Sequence, residues 1–219
     1  MGRTDELRRK LKMPRAAALA GILFSSLTIG SNLLIRTAVP ANPFASTEEL
    51  LSHSNTILLA LNLVPFAGIS FLWFMGVFRD HLGEYEDRLF ATVFFGSGLL
   101  YVAMLFASAA LAGGLLAEMS REAGKLVSSG GYSLGRSEIQ ITTVYGIRMA
   151  GVFIITASTI SLSTRAMPRW LALLGYVVAM VLLLNVRARD WTALVFPAWV
   201  FVISIWILIR FRHSSAKSE

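Results

Sequence analysis

Six segments of the chain are apolar and each is about as long as a helix that crosses a bilayer. They cover approximately residues 16–36, 56–78, 89–117, 143–164, 170–187 and 191–210. A helix rises about 1.5 Å per residue, so about 20 apolar residues match a hydrocarbon core of roughly 30 Å. Lipid leaves no partner for exposed backbone groups, and these continuous runs lack the alternation typical of barrel strands. The sequence therefore predicts an all-α, polytopic transmembrane helical bundle.

The fifth segment is the shortest and makes the number of spans ambiguous. It is followed by the turn Arg187-Ala-Arg-Asp190, which favours a tight hairpin with the sixth segment. We expect six spans, and five spans is the main alternative. The domain prediction is a basic N-terminal segment at residues 1–15, a transmembrane domain at 16–210 and a tail at 211–219.

The composition agrees with lipid rather than water as the main solvent. Hydrophobic residues are 55% of the chain and charged residues 15%, whereas soluble domains average about 25% charged residues. The net charge of +7 does not indicate a nucleic-acid partner, because the Lys and Arg residues are concentrated at the ends of the apolar segments. The chain has no cysteine, which excludes disulfides, thiolate metal sites and Cys nucleophiles.

The distribution of basic residues predicts the orientation. With the N-terminus inside, 13 of the 20 Lys and Arg residues fall on cytoplasmic segments. This bias follows the positive-inside rule, so we expect both termini in the cytoplasm. Trp170 and Trp191 open the last two segments, as interfacial anchors do, whereas Trp199 lies within a segment and is interpreted as a packing residue.

Polar residues inside the segments form a first candidate site. Arg148 lies about one turn inside the fourth segment, and ionisable groups at membrane depth are candidates for function. The same position is compatible with a structural cation whose long side chain reaches the interface. The residues of this polar or ligand-binding candidate are Arg148, Tyr145, Asn62 and Asn32.

The most polar connection forms a second candidate, a docking loop between the second and third segments. Its residues are Asp80, His81, Glu84, Glu86 and Asp87. Carboxylates and imidazole serve as metal ligands and acid/base groups. The alternative interpretation is a helix–helix turn with acids at a helix N-terminus, where the macrodipole favours negative charge.

Hydroxyl residues crowd the first and fourth segments and leave two interpretations open. They either line a polar conduit or form contacts between closely packed helices. Small-residue pairs such as Ala17-xxx-Gly21 and Gly146-xxx-Ala150 are typical of the second interpretation. Pro65 and Pro197 predict kinks, which free carbonyls at membrane depth.

Outside the apolar segments, Ser128–Gly135 is rich in Gly and Ser and predicts a flexible connection. Ser137 and Gln140 have capping-box spacing, which predicts that a helix begins at Ser137, just after this connection.

Catalytic signatures are missing from the sequence, so we expect no enzyme activity, no catalytic residues, no metal and no cofactor. The expected partners are the lipid bilayer and other membrane proteins or a second copy of the chain. The leading hypothesis is an accessory or structural subunit. One alternative is a small solute or ion transporter or channel with a polar site between the first, second and fourth spans. Another is an enzyme that acts on lipid headgroups through the docking loop.

Two motifs near the end of the chain resemble a known pattern. Met167-Pro-Arg-Trp-Leu-Ala-Leu-Leu-Gly175 and Val195-Phe-Pro-Ala-Trp199 are similar to a family of small bacterial multi-pass inner-membrane proteins of unknown function. The resemblance extends over most of the chain in the number of spans, and it implies a bacterial inner-membrane location. It supplies no active residues.

Overall fold

The computed structural model describes residues 3–38, 52–82, 88–164, 167–184 and 191–215. These residues form six α-helices and no strand. The all-α membrane bundle predicted from the sequence is confirmed. The helices are α1 (Arg3–Ala38), α2 (Ser54–Leu82), α3 (Arg88–Ser128), α4 (Gly131–Thr164), α5 (Arg169–Leu184) and α6 (Thr192–Ser215).

From α1 to α5 each helix lies antiparallel to the next, because the end of one contacts the start of the other. α6 closes the bundle by packing against α1. The Ser31 hydroxyl on α1 donates to the Ala60 carbonyl on α2, and Ser108 on α3 hydrogen-bonds Thr143 on α4 at 3.0 Å. We call the end of the bundle that holds Arg15 the Arg15 end. The opposite end, which holds the connection Ser129–Gly130, is called the hairpin end.

Five of the six helices contain a stretch long and apolar enough to cross a bilayer. The stretches are Arg15–Ala38, Ser54–Val77, Leu89–Ser128, Gly131–Thr164 and Thr192–Arg210. The exception is α5, whose 16 residues rise about 24 Å at 1.5 Å each. It nevertheless packs along α4, where the Tyr176 and Thr159 hydroxyls are 2.7 Å apart. The segment predicted to be ambiguous is therefore a short helix built into the bundle.

The connection between α3 and α4 differs from the prediction. We expected a flexible Ser128–Gly135 connection and a helix start at Ser137, whereas α4 begins at Gly131, and Gly130 adopts a positive φ of 75°. Packing between the two helices explains the difference, because a Cβ on Gly135 would lie 2.8 Å from a Leu115 methyl group. Close contact with α3 therefore favours helix over the local preference for a flexible turn.

The core has an aromatic layer at the middle of the bundle. Five helices contribute one ring each, and eight of the ring pairs have centroids 4.7–6.2 Å apart. On α1 the layer lies nine residues after Arg15, or about 14 Å, which is close to half the hydrocarbon thickness. The members of the aromatic layer are Phe24, Phe71, Tyr101, Phe153 and Phe196.

Candidate functional site

Arg148 and Tyr145 lie together on α4. The guanidinium carbon of Arg148 is 5.8 Å from the centroid of the Tyr145 ring, within the range of a cation–π interaction. Arg148 is half-buried, whereas Tyr145 is exposed on the outside of the bundle. Five residues, or about 7.5 Å, separate Arg148 from Phe153 of the aromatic layer. The cation therefore lies between the middle of the membrane and its surface at the hairpin end.

Leu183 of α5 packs against α4 close to Arg148. A Cβ on Gly151, three residues after Arg148, would lie 2.9 Å from Cγ of Leu183.

The two asparagines of the predicted polar site lie on α1 and α2. The Asn32 amide donates to the Thr28 carbonyl on its own helix at 2.9 Å, and Asn62 is exposed. Leu61 lies beside Gly113 of α3, whereas Met104 of α3 lies beside Gly146 of α4. Nine residues of α3, or about 13 Å, thus separate the level of Asn62 from that of Arg148. The four predicted residues form two separate groups.

The predicted docking loop is only partly described. Asp80 and His81 belong to the backbone of the last turn of α2. Glu84, Glu86 and Asp87 lie outside the described residues. In the described part of the chain, no group of three or more His, Asp or Glu side chains is arranged to hold a metal ion.

Most buried hydroxyls are satisfied by backbone carbonyls. Ser25 donates to Gly21 at 2.8 Å, Thr156 to Val152 at 2.8 Å and Ser161 to Ala157 at 2.6 Å, all within one helix. Others connect two helices, as Ser31 does with Ala60 of α2. The bonds within one helix do not distinguish the two interpretations, whereas the Ser31 bond is a contact between packed helices.

The described residues contain four buried polar side-chain atoms without a hydrogen-bond partner. They belong to Thr28, Ser158, Trp199 and Ser204. A Cβ on Gly21 would overlap the Ser204 hydroxyl, and one on Gly175 would overlap that of Ser158. These two hydroxyls therefore lie against glycine Cα atoms of a neighbouring helix, where weak Cα–H···O contacts are common.

The exposed face of α3 is a feature that the sequence prediction missed. In its most apolar stretch, only 17% of the residues are buried, against 33–44% in the other four candidate spans. Large apolar side chains such as Leu100 and Leu111 are exposed along it. A Cβ on Gly96, Gly114 or Gly124 would have no neighbouring atom within 4 Å. Small residues recur at spacings of three and four between Ala103 and Gly124, which is the signal that could have revealed this face.

The fold and its apolar helices define a multi-pass helical membrane protein. Comparison with known proteins adds no closer assignment, because no family model, curated protein or solved structure matches the chain.

Proposed function

We propose that this protein acts through contacts with other membrane proteins, as an accessory or structural subunit, rather than by catalysis. The exposed face of α3 carries the proposal. Without a hydrophobic driving force between helices in lipid, association depends on close backbone approach, and small residues permit it. Gly96 and Gly114 leave such space on the outside of α3, where no part of the described chain fills it.

The extension of α3 beyond α2 adds a second contact region. Ala38, Ile57 and Leu116 pack together, which places the end of α1 and the start of α2 near residue 116 of α3. About ten further residues of α3 continue past this level and carry exposed Arg121, Glu122 and Lys125. A partner is therefore expected to contact both the apolar face and this charged extension.

The location proposed for the protein is the bacterial inner membrane, with both termini in the cytoplasm. The Pro-Arg-Trp resemblance and the basic residues concentrated at the Arg15 end support this location and orientation.

The size of the assembly in its own membrane tests the proposal. Protein extracted from bacterial membranes in mild detergent should run as a complex larger than the monomer, and Gly114→Leu should reduce that complex because the side chain blocks close approach. Gly76→Leu is the matched control, since Gly76 of α2 also has no neighbour within 4 Å of a Cβ. A monomeric parent protein, or equal loss in both variants, would reject the proposal.

A small solute or ion transporter remains the second candidate. The observation that favours it is a proline inside each of two described helices, Pro65 in α2 and Pro197 in α6. Each proline leaves a backbone carbonyl without its helical partner, and transporters use such breaks for binding. Arg148→Ala and Asn62→Ala should then both reduce solute flux in proteoliposomes, and flux that is absent or unchanged would argue against transport.

A further inference from the structure

The guanidinium of Arg148 lies closer to the membrane surface than the backbone of this residue does. Side chains of a helix lean towards its N-terminus, and α4 begins at Gly131, at the hairpin end. The guanidinium carbon is 5.8 Å from the ring of Tyr145, one turn nearer that end. Tyr145 is eight residues, or about 12 Å, from Phe153 of the aromatic layer, whereas half the hydrocarbon thickness is about 15 Å. The cation therefore lies near the boundary with the headgroups.

A tryptophan on α6 supports this level for the membrane surface. Gly21 of α1 contacts Ser204, and Phe24 of α1 contacts Phe196, so α6 begins at the hairpin end. Trp191 precedes Phe196 by five residues, or about 7.5 Å, which is the distance of the arginine backbone from the same layer. Its side chain is exposed, as is typical of the aromatic rings that mark a membrane interface.

The charge of Arg148 has no counter-charge in the described part of the chain. No described carboxylate forms an ion pair with it. The acid of α4, Glu138, is ten residues away, or about 15 Å along the helix. The contact with the Tyr145 ring supplies no oxygen acceptor, so the five N–H donors of the guanidinium still require one. A cation in or near hydrocarbon is costly unless an anion accompanies it.

The surroundings of this cation open towards lipid. Tyr145 is exposed on the outside of the bundle. The last turn of α5 lies on the side towards the middle of the membrane, because Leu183 packs against Gly151, and the next residue, Leu184, is 70% exposed. A cation at headgroup level beside exposed apolar side chains matches a phospholipid, whose phosphate pairs with the planar fork of a guanidinium.

We propose that Arg148 binds the phosphate of a phospholipid in the leaflet at the hairpin end, with Tyr145 as the positioning residue. The guanidinium donates to the phosphate oxygens, and the Tyr145 ring holds the guanidinium at that level. The acyl chains contact the exposed end of α5. Free phosphate would gain nothing from this apolar surface, so a lipid is the source of the anion. This site does not depend on the subunit role proposed above.

Competition between two lipids tests this proposal. The purified protein is incubated in neutral detergent with equal amounts of phosphatidylglycerol and a glucosyl diacylglycerol of the same acyl composition, and bound lipids are counted by native mass spectrometry. The parent should prefer the phospholipid. In Arg148→Gln this preference should fall about tenfold, as expected for hydrogen bonds to a charged group. Arg148→Lys should retain much of it, because the charge remains.

Variants of Tyr145 test the positioning role. Tyr145→Leu removes the ring and should lower the preference by about threefold, the size of an exposed cation–π contact. Tyr145→Phe keeps the ring and should match the parent. Equal preference in all three proteins would contradict this role.

The matched control is a second arginine–tyrosine pair on the same helix. The Arg136 guanidinium carbon lies 5.9 Å from the Tyr132 ring. Arg136 is 17 residues, or about 26 Å, from Phe153, which is well beyond the hydrocarbon. Arg136→Gln changes the net charge as Arg148→Gln does and should leave the preference unchanged.

Three results would overturn the site. They are a parent protein without preference for the phospholipid, an equal loss in Arg148→Gln and Arg136→Gln, and displacement of the bound phospholipid by excess inorganic phosphate. The last result would identify a free anion as the ligand. The measurement uses the isolated chain, so a missing partner on α3 does not affect it.

Discussion

Glycine positions decide how closely α1, α4, α5 and α6 approach one another. Ser204 packs on Gly21 and Ser158 on Gly175, so each contact places a hydroxyl where a Cβ would otherwise stand. The sequence predicted small-residue contacts at Ala17-xxx-Gly21, and both residues do face neighbouring helices in the bundle. It could not identify the serine partners, because these lie on helices distant in sequence.

We expect Gly21→Ala to destabilise the protein by about 1–3 kcal/mol, as overpacked cores do. The new methyl group would overlap the Ser204 hydroxyl and lie 2.8 Å from the Phe74 ring. Unfolding in mixed micelles measures the change. Gly30→Ala on the same helix is the control, since no atom lies within 4 Å of its Cβ position. This variant should not lower the free energy of unfolding. Because Ala favours helix over Gly, an equal loss of stability in both variants would contradict overpacking at Gly21 as the cause.

The aromatic layer predicts a second effect at the residue scale. The Phe196 ring contacts the rings of Phe24, Phe71, Tyr101 and Phe153, so truncating it leaves a cavity lined by rigid rings. Phe196→Ala should lower the free energy of unfolding by about 3–5 kcal/mol.

The comparison for this substitution is Phe66→Ala on α2. The Phe66 side chain is 62% exposed, and lipid replaces its contacts after truncation. In thermal or detergent-induced unfolding, the free energy of unfolding of this variant should be close to that of the parent protein. A small loss in Phe196→Ala would mean that the layer repacks around the missing ring.

Among the elements, α3 departs most from a simple membrane span. Its 41 residues rise about 60 Å, twice the hydrocarbon thickness. The backbone leaves helical geometry at Glu122, with φ −142° and ψ 57°. The helix continues past Leu116 to Ser128. The contribution of α4, which packs along this extension, could not be predicted from local charge spacing.

The turn between α3 and α4 depends on one glycine. At Gly130 φ is 75°, a left-handed conformation that costs other residues about 1 kcal/mol or more. Gly130→Ala should therefore speed amide exchange of Leu134, whose N–H donates to the Gly130 carbonyl, by roughly fivefold.

Gly124→Ala, six residues earlier in α3, provides the reference for this measurement. A Cβ there would meet no atom within 4 Å, and its φ lies outside the left-handed range. Exchange at Leu134 should stay at the parent rate in this variant. The same acceleration in both variants would mean that the turn conformation does not control the hairpin.

At the scale of the whole molecule, the absence of cysteine makes the predicted orientation directly testable. Single-cysteine variants report topology without background labelling. Ser133→Cys, at the hairpin end, should react with a membrane-impermeant thiol reagent added to intact cells. Ser214→Cys, near the end of α6, should react only after permeabilisation, because the positive-inside rule places the basic ends in the cytoplasm. The reverse pattern would invert the proposed orientation.

Sequence alone determined the fold class, the approximate positions of the helices and the packing role of Trp199. These properties depend on local hydrophobicity and on the backbone's need for internal hydrogen bonds in lipid, both of which are readable along the chain. Tertiary structure alone decided the aromatic layer, the exposed face of α3 and the separation of Arg148 from Asn62. Each of these depends on which helix faces which, a choice set by shape complementarity between surfaces distant in sequence.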